Sequence, residues 1–188
     1  LAQEEINLEG PNQIKAGSFL SREINLGLDP FYLVIDGNKV PQMTDFSGLG
    51  NHFTQATTIN RGTYKVNRLN SLPSVLFDYT ANEHYTGTSF MSGFTAGELY
   101  IVIKSSADPS VAPTAGAYMN ASTDTLIVHY PYIEGTIYDS WGSTARYGTA
   151  NPTTSLANFN LYNVVSKSSF WENRLNRATL FTNTSNIV

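Results

Sequence analysis

The sequence predicts a protein built almost entirely of β-strands, and three observations support this. Short runs rich in Val, Ile, Tyr and Phe recur between clusters of Gly, Pro, Asn and Asp, which is typical of strands joined by turns. Residues 158–164 alternate apolar and polar side chains with a period of two. No stretch of about eleven or more residues keeps the apolar period of a helix. At 188 residues, 41% of them hydrophobic, the chain suits one domain with a substantial core.

The first strands are predicted from a hairpin signal. Residues 1–28 mix polar and apolar side chains and are interpreted as an N-terminal arm plus a first strand. Residues 31–35 are strongly β-prone, Asp36-Gly37 is typical of a two-residue hairpin turn, and residues 39–43 form the returning strand. We therefore expect an antiparallel hairpin here.

A polar corner follows the hairpin at residues 45–51. Its glycines and Asn51 can adopt positive φ, and Asp45 can accept hydrogen bonds from backbone amides two residues further on. A short strand is predicted directly after this corner, and two more at residues 63–66 and 74–77.

The second half of the chain also consists of predicted strands. Residues 99–103 are apolar without alternation, which favours a strand covered on both faces or one at the centre of a sandwich. Further strands are predicted at residues 125–130, 136–138, 158–164, 170–171 and 179–181. The last two are expected to form a closing hairpin around Leu175, Asn176 and Arg177.

Composition excludes several classes of function. Only 14% of residues are charged, the net charge is -4, and no cluster of Lys and Arg occurs, so a nucleic-acid partner is not expected. Cysteine is absent, which removes disulfides and thiolate metal sites. No apolar run approaches the roughly 18 to 20 residues that a membrane helix needs, so no membrane insertion is predicted.

The corner and the strand that follows it carry a family resemblance. The matching residues are Val40, Gln42, Asp45, Ser47, Gly48, Gly50, Asn51 and Gln55 in a first segment, and Asn70, Pro73, Val75, Phe77 and Asp78 in a second. On these residues the chain resembles the concanavalin A-like lectin/glucanase superfamily, in the laminin-G-like form of phage tail, virion and bacterial surface proteins. Met43 stands where that family usually has Trp, and Ser71 where it has Gly.

The resemblance implies a fold and a chain organisation. It implies a concanavalin A-like β-sandwich, or jelly roll, of two antiparallel sheets over residues 29–188, preceded by the arm and first strand of residues 1–28. The closing strands of the family do not occur before Val188. We therefore expect a sandwich that lacks its last strands and is completed by further C-terminal residues, by its own arm or by another subunit.

The resemblance also implies a habitat and a function. The expected function is a non-enzymatic structural or adhesion module of a virion, such as a tail-fibre, baseplate or capsid-decoration component. Its expected partners are copies of itself, other virion proteins and host surface glycans. The second hypothesis is a secreted bacterial carbohydrate-binding, lectin-like domain, and the third is a glycan hydrolase or lyase. All three place the protein in a virion, outside the cell or at the cell surface.

Catalytic patterns argue against the third hypothesis. Glucanases of this family carry an E-x-D-x-x-E run, which is absent here. The nearest pair, Glu134 and Asp139, is five residues apart, which places the two side chains on opposite faces of an extended strand, and Gly135 interrupts it. Neither a nucleophile elbow nor a phosphate-binding loop occurs, so we predict that the protein is not an enzyme.

Metal and cofactor sites are not predicted. His52, His84 and His129 lie far apart, with no second His or Cys at ligand spacing. A Ca²⁺ site remains an alternative, because residues 36–38 and Asp78 offer carboxylate and carbonyl oxygens. Both places are better explained as turns.

An aromatic-rich stretch, residues 129–147, is the candidate binding region. Stacking rings beside hydrogen-bonding side chains match the apolar faces and polar rims of sugars. The alternative is that some of these rings fill the core and the others form a subunit interface, where Tyr, Trp and Arg are enriched. The candidate carbohydrate-binding or interface residues are Tyr130, Tyr132, Tyr138, Asp139, Trp141 and Arg146.

Overall fold

The computed structural model describes residues 28–87, 90–106, 128–132, 135–149 and 151–188. The chain divides into two compact units, Leu1–Phe90 and Met91–Val188, here called unit 1 and unit 2. The predicted all-β class, with antiparallel sheets, is confirmed, since every strand pairing in the described residues is antiparallel. The predicted N-terminal arm lies outside the described residues.

Unit 1 contains one six-stranded sheet. Its strands are β1 (Leu28–Asp36), β2 (Lys39–Asp45), β3 (Phe53–Thr54), β4 (Thr63–Leu69), β5 (Leu72–Leu76) and β6 (Thr86–Gly87). The order across the sheet is β5-β4-β2-β3-β6, and β1 pairs with β2. Two single turns of 3₁₀ helix, Thr58–Asn60 and Tyr79–Ala81, connect these strands.

The predicted β1–β2 hairpin is present. Asp36 lies opposite Lys39, and Gly37 takes a φ of 62° in the two-residue turn between them. The turn residues are Gly37 and Asn38. Most side chains are strained at the φ of Gly37, so this glycine, at the first position of the turn, decides where the strand reverses.

The polar corner is also confirmed, and the carboxylate of Asp45 organises it. Its Oδ1 accepts the backbone N–H of Ser47 at 2.9 Å, and its Oδ2 accepts the backbone N–H of Asn51 at 2.9 Å. The backbone N–H of Asp45 donates to Nδ1 of His52 at 3.0 Å. Gly48 takes a φ of 89° within this loop. The corner thus satisfies its own buried polar groups.

Unit 2 contains a four-stranded sheet and a two-stranded sheet. The first has the order β12-β11-β10-β7 and the second pairs β8 with β9. The bounds are β7 (Ala96–Ile103), β8 (Ile137–Asp139), β9 (Tyr147–Thr149), β10 (Asn160–Lys167), β11 (Phe170–Leu175) and β12 (Ala178–Asn183). The closing hairpin is confirmed, with Asn176 and Arg177 at positive φ in its turn.

The core of unit 2 lies on one face of the four-stranded sheet. Alternate residues of β10 and β11, among them Tyr162, Val164 and Trp171, are fully buried there. Ile137 of β8 and Leu156 of the connecting loop pack into the same cluster. In the described part of unit 1, Val40 is the one hydrophobic side chain that is buried to this degree.

Strand β7 differs from its prediction. We expected both faces of residues 99–103 to be covered, but Tyr100 is 59% and Val102 56% exposed. Leu99, Ile101 and Ile103 pack on the core instead. Tyr and Val suit an exposed pleated surface as well as a core, so an unbroken apolar run did not prove burial.

Two short strands were not predicted, and one prediction is only partly described. Strands β6 and β9 have two and three residues, too few to show a period. Of the strand predicted at residues 125–130, residues 125–127 lie outside the described part, and His129 forms an isolated bridge with Tyr138.

No helix in the described residues is long and apolar enough to cross a membrane.

Candidate functional site

The aromatic stretch is positioned by the β8–β9 ladder of unit 2. Tyr138 of β8 lies opposite Gly148 of β9, and its ring covers that glycine, since a Cβ on Gly148 would fall 2.7 Å from Tyr138 Cε1. The period of two in β8 turns Ile137 and Asp139 into the core and Tyr138 to the other face. The ladder thereby divides the six predicted site residues into two groups.

The first group is buried and consists of Tyr130, Asp139 and Trp141. Asp139 Oδ1 accepts the backbone N–H of Trp141 at 2.7 Å, and Asp139 Oδ2 accepts the hydroxyl of Tyr162 at 2.7 Å. The Tyr162 hydroxyl accepts the side-chain amide of Asn173 at 2.9 Å. Burial, and then the charge of Asp139, raise the pKa of Tyr162 well above its ordinary value. Asp139, the neutral hydroxyl of Tyr162 and Asn173 thus form a hydrogen-bond network inside the core.

Trp141 is also packed from several sides. It is 9% exposed, and its backbone carbonyl accepts the indole N–H of Trp171 at 2.9 Å. Its ring lies so close to Gly97 that a Cβ there would be 2.9 Å from Trp141 Cη2. Trp141 lines a mostly apolar cavity of about 510 Å³ together with Met91 and Phe94. The ring is therefore chiefly a packing element of unit 2.

The second group reaches the surface and consists of Tyr132, Tyr138 and Arg146, joined by His129. We call these four residues the aromatic patch. The ring centroids of Tyr132 and Tyr138 are 5.5 Å apart at an interplanar angle of 83°, and those of His129 and Tyr132 are 4.6 Å apart. The Arg146 guanidinium carbon lies 4.9 Å from the Tyr138 ring centroid. Tyr132 is 37% exposed, so one ring of the patch is open to solvent.

The charge of the patch comes from Arg146. Burial, and then the positive charge of Arg146, lower the pKa of His129 below its ordinary value. This shift favours the neutral form of the imidazole. Within the described part of the chain, Arg146 has no ion-pair partner at 4.0 Å or less.

The remaining histidines have structural partners. His52 accepts a backbone N–H in the corner of unit 1, and the Nδ1 of His84 lies 2.7 Å from the carbonyl oxygen of Asn82. Over the described ranges, no group of three or more His, Asp or Glu side chains could hold a metal ion.

The two carboxylates weighed for Ca²⁺ have partners in unit 1. Asp36 pairs with Arg61 at 3.1 Å. Asp78 Oδ1 accepts the backbone N–H of Thr80 at 2.9 Å and its hydroxyl at 2.7 Å, and these bonds lower the pKa of Asp78. Glu134, the other member of the carboxylate pair weighed for catalysis, lies outside the described residues.

A second concave surface was not predicted. It lies on the solvent-facing side of the four-stranded sheet, has a volume of about 430 Å³, and is called the sheet trough here. Its lining residues are Tyr100, Leu161, Asn163, Arg174 and Arg177. They come from three strands and one turn, so they do not cluster in the sequence. The alternation of residues 158–164 did not indicate it, because that pattern would turn apolar Leu161 to the core and polar Asn160 to solvent. In the structure Leu161 is 37% exposed and Asn160 is buried.

Comparison with known proteins gives no similar protein for this chain. No family model, no curated protein and no solved structure matches this chain. The assignment of the chain to the concanavalin A-like superfamily therefore stays an expectation from the corner residues.

Proposed function

We propose that this protein is a non-enzymatic structural or adhesion module that contacts glycans through the aromatic patch of unit 2. We place it in a virion, as a tail-fibre, baseplate or capsid-decoration component, with a secreted bacterial lectin-like domain as the second candidate. The observation that carries the proposal is the exposed ring of Tyr132 and the guanidinium of Arg146, which both contact Tyr138. Among the described residues, Arg146 has no ion-pair partner. The placement in a virion or at a bacterial surface is supported by the corner resemblance and by the polar, weakly charged composition.

The patch has the chemistry that a sugar requires. The apolar C–H face of a pyranose can lie on the exposed ring of Tyr132. Arg146 rests on Tyr138 by a cation–π contact, which leaves its N–H groups available to hydroxyl or carboxylate oxygens. One flat ring next to one fixed donor group favours a single terminal sugar over a long chain.

Hydrogen bonds and packing hold the backbone at Tyr132 and Gly135. The N–H of Tyr132 donates to the carbonyl of Thr136 at 2.7 Å, and the N–H of Gly135 donates to the carbonyl of Tyr132 at 3.2 Å. Gly135 has a φ of 75°, and a Cβ there would collide with Asn151. Pro131, directly before Tyr132, is fully buried. A ring held in this way loses little conformational freedom on binding, which favours affinity.

The surroundings of Asp139 support a non-enzymatic role. Its two carboxylate oxygens accept hydrogen bonds from Trp141 and Tyr162, and the side chain is fully buried. A general acid or base must come within about 2.6–3.2 Å of the proton that it transfers. Asp139 is locked in the core, where a saccharide cannot reach it.

The rival function for the same patch is a contact between subunits. Tyr and Arg are enriched at interfaces as well as in sugar sites, so an oligomer would bury the Tyr132 ring. The two functions predict different results for the variant Tyr132→Ala. The native Tyr132 side chain is partly exposed, so its removal should not disturb the core. Trp141→Ala is a poor test because it removes a core ring at a cost of about 3–5 kcal/mol.

A glycan array followed by calorimetric titration of the selected sugar tests the proposal. We expect Tyr132→Ala to weaken binding about tenfold or more, Tyr132→Phe to keep most of it, and all variants to unfold like the wild type. Ile59→Ala, which removes another exposed apolar side chain in unit 1, is the matched control and should bind normally. Unchanged sugar affinity of Tyr132→Ala, together with loss of an oligomer in light scattering, would support the interface instead.

A further inference from the structure

The sheet trough combines side chains from neighbouring strands in one row. Tyr100 of β7 lies opposite Asn163 of β10, and Asn163 lies opposite Arg174 of β11. Their side chains share the face of the sheet that does not carry the core, because they alternate with Ile101, Tyr162 and Asn173, which point into it. The row gives the trough a flat floor with an exposed aromatic ring at one end.

Hydrogen bonds hold this row in place. The Asn163 amide donates to the Leu99 carbonyl at 2.8 Å and to Glu98 Oε1 at 3.2 Å, and its oxygen accepts Arg174 Nη1 at 3.3 Å. The Tyr100 hydroxyl donates to Glu98 Oε1 at 2.6 Å. Each group is therefore oriented before any ligand arrives.

The two arginines of the trough differ in their charge environment. Arg174 forms an ion pair with Glu172, which compensates its charge. Arg177 is exposed, and across the described ranges of the chain it has no ion pair. Its uncompensated guanidinium lies at the trough and can receive a carboxylate through two parallel hydrogen bonds.

The position of Arg177 is set by its turn. Asn176 Oδ1 accepts the backbone N–H of Leu161 at 2.9 Å, and the N–H of Asn176 donates to the Leu161 carbonyl at 2.8 Å. These two bonds tie the β11–β12 turn to β10. Arg177 is thereby kept beside Leu161, whose side chain forms the apolar floor next to Tyr100.

We propose that the sheet trough is a second binding site, specific for an acidic saccharide such as a uronic-acid oligosaccharide. A sugar ring lies on Tyr100 and Leu161, and its carboxylate pairs with Arg177. A volume of about 430 Å³ lies within the range of about 300–1,000 Å³ found for small-ligand pockets. The site does not depend on the aromatic patch, since the two surfaces share no residue.

Titration with a uronic-acid trisaccharide and with its carboxyl-reduced, neutral counterpart tests this site. We expect the acidic sugar to bind about tenfold more tightly than the neutral one, with an affinity that falls as salt is added. Arg177→Gln should lower the affinity for the acidic sugar to that for the neutral sugar. Tyr100→Ala should lower the affinity for both sugars. Arg68→Gln, an exposed arginine of unit 1, is the matched control and should change neither.

Two outcomes overturn the proposal. One is equal affinity for the acidic and neutral sugars, and the other is an Arg177→Gln variant that binds the acidic sugar as the wild type does. Tyr132→Ala separates this site from the aromatic patch, because it should leave uronate binding unchanged even where it abolishes binding of another glycan. Loss of uronate binding in Tyr132→Ala but not in Arg177→Gln would assign the acidic sugar to the aromatic patch.

Discussion

At the scale of single residues, Asp45 shows how one buried carboxylate can determine the path of a loop. It accepts hydrogen bonds from the backbone amides of Ser47 and Asn51 and from the hydroxyl of Ser47. The residues of the corner were predictable because Asp, Ser, Gly and Asn form such turns by local hydrogen bonds and positive φ. Tertiary contacts are not needed to specify them.

Replacing Asp45 by Ala should therefore destabilise unit 1. Two partly buried amides lose their acceptor, and each unsatisfied amide costs about 1–3 kcal/mol. Because water can replace the acceptor of one of them, we expect the unfolding free energy to fall by about 2 kcal/mol in total. Urea unfolding measures the change. Leu49→Ala in the same loop removes an exposed side chain and should leave the unfolding free energy unchanged. Equal stability of Asp45→Ala and Leu49→Ala would contradict the role given to the carboxylate.

His129 provides a prediction about pH. Burial and Arg146 lower its pKa in the folded protein, so the unfolded chain takes up a proton more readily as the pH falls below the ordinary histidine value of about 6.5. The folded state is thereby destabilised in acid. We expect the unfolding free energy of the wild type to fall more, between about pH 7.5 and about pH 5.5, than that of His129→Gln. Identical losses in the two proteins would show that His129 does not contribute.

At the scale of elements, the positions of the hairpin turns were easier to predict than which faces of the strands are buried. The turns Gly37-Asn38 and Asn176-Arg177 reverse the strands with positive φ at Gly37, Asn176 and Arg177, which is a local property. Whether a strand is covered on one face or two depends on what packs against it. That is why the exposure of Tyr100 and Val102 could not be predicted from an apolar run.

The division of the predicted site residues into a buried and an exposed group also depends on tertiary packing. The turn that includes Pro131 and Gly135 interrupts any period between Tyr130 and Tyr138, so the sequence did not indicate which rings face the core. The sheet trough is harder still to predict, because its residues meet through the register of three strands. Register follows from pairing over the whole sheet and not from one segment.

The turn between β11 and β12 can be tested with two variants of Asn176. This side chain accepts the N–H of Leu161 and donates to Asn160 Oδ1 at 2.8 Å, and its φ is 50°. Asn176→Ala loses both bonds and places a Cβ at an unfavourable φ, whereas Asn176→Gly loses only the bonds. We expect Asn176→Ala to lower the unfolding free energy by about 2–3 kcal/mol and Asn176→Gly by about 1 kcal/mol less. The reverse order in thermal unfolding would contradict this account of the turn.

At the scale of the whole molecule, association remains a prediction. Several large apolar side chains of unit 1 are at least two-fifths exposed, among them Val34, Ile59, Val66 and Phe77. Exposed apolar groups in such number are common where copies of a chain meet. We expect size-exclusion chromatography with light scattering to give a defined oligomer. A monodisperse monomer at all concentrations would contradict the expectation and leave a glycan as the main partner.

We propose that the aromatic patch contacts glycans, and chemical-shift mapping can detect such a contact residue by residue. Backbone and aromatic signals are assigned, and the sugar selected on the array is titrated into the ¹⁵N-labelled protein. We expect the largest shifts at His129, Tyr132, Tyr138 and Arg146, and unchanged signals at Tyr162 and in the corner around Asp45. Binding that shifts only residues outside this cluster, or no binding by any glycan, would contradict it.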